Sequence, residues 1–106
     1  MNNEVIVYKG RDNTVRIQLG FDVSGDVITS EIRSEPSQAA TLIATWTVSF
    51  ESDGSDGKLL LTLDELTTSQ ITAKVGFMDL KRSSGGYNYA VFDKPLEVIF
   101  REAVTT

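Results

Sequence analysis

Between Leu42 and Phe50 the chain alternates with a period of two: Leu42, Ala44, Trp46, Val48 and Phe50 fall on one side, Ile43, Thr45, Thr47 and Ser49 on the other. Successive side chains of an extended strand point to opposite faces, so this pattern specifies a strand with one buried and one wetter face. An aromatic as large as Trp46 is the natural core anchor. Similar short segments rich in Val, Ile, Leu and Thr recur along the chain, punctuated by Gly, Ser, Asp and Asn. That rhythm predicts an all-β sandwich or barrel.

Read in order, strands are expected at Glu4 to Tyr8, Thr14 to Phe21, Val27 to Arg33, Leu42 to Phe50 and Lys58 to Leu63. Further strands follow at Val75 to Arg82, Tyr87 to Phe92 and Leu96 to Val104, the last approached through Asp93-Lys94-Pro95. Thr62-Leu63-Asp64-Glu65 fits a capping box, in which the threonine hydroxyl and the glutamate satisfy free helical N–H groups. A short helix near residues 63–73 is therefore expected, not passing Ala73 because Thr67, Thr68 and Thr72 are poor helix formers. Ser83-Ser84-Gly85-Gly86 reads as a four-residue hairpin connection. With no internal repeat and no linker, one antiparallel sandwich of about seven strands fills residues 1–106.

The chain's 106 residues, 41% hydrophobic and 24% charged, suit an ordinary domain that removes roughly two thirds of its unfolded surface from water. The longest apolar runs fall far short of the about 18 to 20 residues of a membrane helix, and Met1-Asn2-Asn3-Glu4 lacks the features of a secretory signal. Cysteine and histidine are both absent. Disulfides, thiolate nucleophiles, Ser/His/Asp relays and the usual zinc ligand sets are thereby excluded, and no catalysis and no cofactor are expected. A net charge of −5 repels phosphate backbones and anionic lipid, so neither nucleic acid nor membrane is an expected partner.

The remaining candidates are contact residues. Arg11 and Asp12, on the turn after the first strand, either close that turn or form an ion pair with a neighbouring subunit. Tyr87 and Tyr89, with the adjoining Ser and Gly residues, have the composition of an adaptable recognition loop, or else cover the core from one strand face. Ile99 and Arg101 lie on the face of the last strand that should be wet, and either terminal strand could form an open sheet edge. Glu51, Asp53 and Asp56 crowd one loop, but their spacing is that of solvated turn residues and not of a helix-loop-helix calcium site.

The order of these pieces resembles the small immunoglobulin-like domains of tail, baseplate and neck proteins of tailed bacteriophages, including the N-terminal domain of upper-baseplate proteins. The matching pieces are Tyr8-Lys9-Gly10-Arg11-Asp12, the Ser24-Gly25 turn before Glu31-Ile32-Arg33, and the strand about Trp46. The run Leu59 to Asp64, the segment Gly76 to Lys81 and the closing segment Leu96 to Thr105 complete the match, which covers nearly the whole chain. The resemblance implies a non-catalytic virion structural protein, assembled in the host cytoplasm, that packs in multiple symmetric copies against other virion proteins. Relatives in the upper-baseplate group continue into a fibre-holding region. A chain ending at Thr106 would instead be a standalone adaptor, stopper or decoration subunit, monomeric or weakly oligomeric by itself. A carbohydrate-binding module is the alternative; it calls for exposed tryptophans or a calcium loop on one face, whereas Trp46 is expected inside. Pro95 stands where the family pattern calls for glycine.

Overall fold

Alternating apolar residues build strands along almost the whole chain, in a computed structural model that describes residues 4–92 and 94–105. Met1 to Asn3, Asp93 and Thr106 lie outside the described residues. The elements are β1 (Glu4–Lys9), β2 (Asn13–Gln18), β3 (Val27–Thr29), β4 (Glu31–Arg33), β5 (Leu42–Thr45), β6 (Thr47–Phe50) and β7 (Lys58–Leu63). A single helical turn, α1 (Glu65–Ser69), is followed by β8 (Val75–Met78), β9 (Lys81–Ser84), β10 (Tyr87–Ala90) and β11 (Leu96–Glu102). The protein is all-β and sandwich-like. One layer is a five-stranded sheet in the order β1-β11-β8-β4-β5; facing it are two three-stranded sheets, β10-β9-β3 and β2-β7-β6.

More strands form than the sequence suggests, because three segments expected to be single strands change partners midway. Val27 to Arg33 divides at Ser30, Leu42 to Phe50 at Trp46, and Val75 to Arg82 at Asp79-Leu80. In each case the first or second half joins the five-stranded sheet and the other half the opposite layer. Side-chain alternation runs through these breaks undisturbed: Ile28, Ser30 and Ile32 are all buried, as are Ala44 and Trp46, and Met78 and Leu80. The breaks are bonded to one another. The Trp46 backbone N–H donates to the Ser30 carbonyl at 3.0 Å, and the Ser30 hydroxyl donates to the Asp79 carbonyl at 2.6 Å. Backbone groups that lose a ladder partner at the crossing thus find one in the neighbouring crossing.

Three further expectations are corrected. The sandwich is not wholly antiparallel, since β1 pairs parallel with β11, from Glu4 opposite Glu97 to Lys9 opposite Glu102. β1 leads into β2 in the facing layer, so no hairpin dictates the direction of its neighbour. The helix is shorter than residues 63–73, and Asp64, not Thr62, caps it: the Asp64 carboxylate accepts the Thr67 N–H at 2.8 Å. Thr62 stays in β7, paired with Thr14 and Thr47, and an aspartate is the better acceptor in any case. The β9–β10 hairpin closes through two residues, not four. Gly85 and Gly86 both have positive φ, 59° and 87°, which is the type I′ turn that matches strand twist.

The core lies between the layers. Val7, Ile32, Met78 and Val98 of the five-stranded sheet meet Leu59, Leu61 and Leu63 of β7 around Trp46, which is 3% exposed. The indole N–H of Trp46 has no hydrogen-bond partner among the described residues. The acidic loop after β6 is fastened to the turn after β2: Leu19 N–H donates to the Gly57 carbonyl and Val23 N–H to that of Gly54, both at 2.9 Å. Gly57 has φ of 72°, and a β-carbon there would collide with the Phe21 carbonyl oxygen. Gly57→Ala should therefore destabilise the protein by more than about 1 kcal/mol, read as a lower unfolding midpoint in urea followed by Trp46 fluorescence.

Candidate interaction site

The turn between β1 and β2 is built from side chains that replace backbone partners. Asn13 accepts the Tyr8 N–H through Oδ1 and donates Nδ2 to the carbonyls of Tyr8 and Arg11, each at 2.9 Å. Thr68 of α1, fully buried, accepts the Arg11 N–H at 3.2 Å, and its hydroxyl lies 2.8 Å from the Arg11 carbonyl as donor. Asp12 Oδ1 accepts the Glu65 N–H at 2.7 Å, giving the single-turn helix a second cap. Of the two expected contact residues here, Asp12 is thus engaged within the molecule. Arg11 is half-buried, with Nη1 donating to the Gly10 carbonyl at 3.1 Å. Beside this turn, Thr14, Thr45, Thr47, Thr62 and Thr67 line an open depression of about 370 Å³, together with Asn13, Leu63 and the capping aspartates Asp12 and Asp64.

Tyr87 and Tyr89 sit on β10, which among the described residues pairs only with β9 and leaves its other edge open. Both are exposed, at 68% and 48%, so neither serves as a cover for the core. Tyr89 joins a cluster that the sequence pattern did not reveal. The Arg82 guanidinium lies 5.8 Å from the Tyr89 ring centre and 5.0 Å from that of Phe21, and its Nε donates to Asp26 Oδ2 at 2.7 Å. Arg82 continues the inward-facing parity of Met78 and Leu80, opposite Ile28 in the register. A cation at an inward position needs a counter-ion and a covering surface, and Asp26 and the two rings supply them. The signal in the sequence is a charged residue on an apolar parity. An open groove of about 930 Å³ runs under this hairpin, lined by Asn88, Tyr89, Ala90, Glu31, Asp79 and Lys81 together with the 35–38 loop.

Ile99 and Arg101 are on β11. Of the two terminal strands that could have formed an edge, β1 does and β11 does not: β11 lies between β1 and β8, because β1 adds alongside it in parallel. Among the described residues the open edges of this sheet are β1 and β5. Ile99 is half-buried between its register partners Ile6 and Val75, which are 37% and 41% exposed. These three form an apolar row across the outer face, with Arg101 beside Tyr8 on one side and Glu97 between Glu4 and Phe77 on the other.

The loop acids serve their own backbone. Asp53 accepts from the Ser55 hydroxyl and N–H, and Asp56 from the Lys58 N–H. Among the described residues no group of three acidic side chains is placed to hold a metal ion. Four aspartates are held below their ordinary pKa of 3.8: Asp22 by the Ser24 hydroxyl and then its N–H, Asp53 by the Ser55 hydroxyl and N–H, Asp64 by Thr67 in the same way, and Asp26 by Arg82 and then Ser84. With these sites occupied internally, the arrangement offers contact surfaces and anchored turns. No protein-family model matches the chain, and no curated protein sequence is significantly similar to it.

Thr68→Val should cost about 1–3 kcal/mol, because it strands the Arg11 N–H and carbonyl, while Thr68→Ser should restore most of that loss; chemical unfolding reads both. Depressed carboxylate pKa values stabilise the fold above the unfolded value and cease to do so as pH falls through the folded values. Stability should hold level between about pH 5 and 7 and drop below about pH 4, a profile measurable by thermal melts across that range.

Proposed function

We propose that this protein is a non-catalytic structural subunit of a tailed-bacteriophage particle, an adaptor or connector of the tail, neck or baseplate built on an immunoglobulin-like sandwich. It acts through contacts with other virion proteins, in several symmetric copies. The observation that carries this reading is where the exposed apolar and aromatic side chains lie. Ile6, Val75 and Tyr8 are on one sheet face, and Tyr87 and Tyr89 are on an open strand edge. A face and an edge are the two ways in which a sheet offers itself to another protein.

The sandwich reading draws support from two layers packed about a buried tryptophan within about 100 residues. The family resemblance supplies the phage context. The same surfaces would serve decoration of the head, which differs only in location. A carbohydrate-binding module is less well supported, since Trp46 is buried and offers no stacking platform.

Purified particles from a host carrying the gene provide the test. Mass spectrometry should find the chain in several copies per particle, and immunogold labelling should place it at the tail, neck or baseplate. Label on the head would identify a decoration protein. Absence from purified particles, or a gene lying among metabolic enzymes instead of portal, tape-measure or fibre genes, would overturn the proposal.

A further inference from the structure

The outer face of the five-stranded sheet has a pattern that complements itself. Its middle row is apolar, Ile6 of β1, Ile99 of β11 and Val75 of β8, all in direct register. Residues two positions away on a strand return to the same face. The row on one side therefore carries Glu4 opposite Glu97, and the row on the other carries Tyr8 opposite Arg101. Two glutamates directly opposite each other on one face are mutually destabilising. Neither forms an ion pair among the described residues, and neither does Arg101.

We infer that this face binds a second copy of the chain in a two-fold dimer whose axis runs along the Ile6–Ile99–Val75 row. A two-fold axis lying in the contact plane and across the strands sets each middle-row residue against its own copy. The same operation exchanges the flanking rows. Glu97 of each protomer meets Arg101 of the other, and Glu4 meets Tyr8, whose hydroxyl can donate to it. Both glutamates thereby gain a partner that their own chain does not provide, and the half-exposed Ile6 and Val75 leave water. Such a contact is isologous and closed, so it ends at two copies. Face-to-face sheet packing at about 10 Å separation leaves room for side chains of this size to interdigitate. The dimer depends on this face alone and holds whichever assembly the protein serves.

Sedimentation equilibrium of the full chain over a concentration series up to about 1 mM, which captures a weak self-affinity, tests the inference. The wild type should pass from monomer to dimer and go no further. Ile99→Lys should abolish dimerisation. Glu97→Arg and Arg101→Glu should each weaken it by about tenfold or more, since each sets like charges face to face. The double variant Glu97→Arg/Arg101→Glu should recover the wild-type association, because the exchanged charges meet again. Circular dichroism of each variant establishes that it is folded, and the recovery in the double variant cannot come from unfolding. Wild-type protein that stays monomeric throughout, leaving the face to a different protein, would overturn the inference. So would a dimer indifferent to Ile99→Lys, or a double variant no better than either single one.

Discussion

Where three strands cross from one layer to the other, their backbones hold one another. Trp46 donates its N–H to the Ser30 carbonyl, and the Ser30 hydroxyl donates to the carbonyl of Asp79. Each of these residues marks the point at which a segment leaves one sheet and joins another, and Ser30 is only 2% exposed. At such depth an unpaired backbone group costs about as much as a lost hydrogen bond, so the crossings have to occur together. A strand that crossed alone would leave its neighbour's carbonyl dry and unpaired. The junction thus sets which halves of the chain form the five-stranded sheet and which form the facing layer, and Trp46 fills the space beneath it.

The ends of the molecule are secured differently, by side chains standing in for backbone. Asp12 and Asp64 both cap a helix of five residues, a length that could not persist by itself in water. Thr68 holds the helix to the β1–β2 turn, and Asn13 closes that turn from within. The acidic loop before β7 gives its carboxylates to its own turn and its glycine carbonyls to the loop after β2. Much of the polar chemistry of these loops is consumed in this way. What is left at the surface is a flat apolar row, an open aromatic edge and a guanidinium held between two rings.

Much of this was legible residue by residue. The alternation placed Ala44, Trp46 and Val98 inside, and the Ser83-Ser84-Gly85-Gly86 run announced the hairpin. The helix was visible as a change of spacing, but its cap was misplaced by two residues, because Thr62 and Asp64 are both good caps and only strand pairing decides between them. Tyr87 and Tyr89 were singled out with two readings, a recognition edge or a cover for the core, and only their exposure in the fold disfavours the second; Arg82 was not singled out. Its partners Phe21 and Asp26 lie 61 and 56 positions away, and no local pattern joins them. Ile99 was correctly singled out as apolar on an outward face. Its position on an inner strand depends on β1 reaching alongside β11, from the other end of the chain.

What the sequence by itself determined is therefore the parity of each segment: which side chains face inward, where turns must fall, and that neither cysteine nor histidine chemistry is possible. Parity survives a change of sheet, since Ile28, Ser30 and Ile32 keep one facing although the strand changes partners at Ser30. Period-two alternation records a side chain's direction and carries nothing about which backbone lies alongside. The three crossings, the parallel seating of β1 on β11 and the apolar row from Ile6 to Val75 were decided by the tertiary structure alone. Each joins backbone or side-chain groups far apart in the chain, and they meet only once the two layers have closed on a common core.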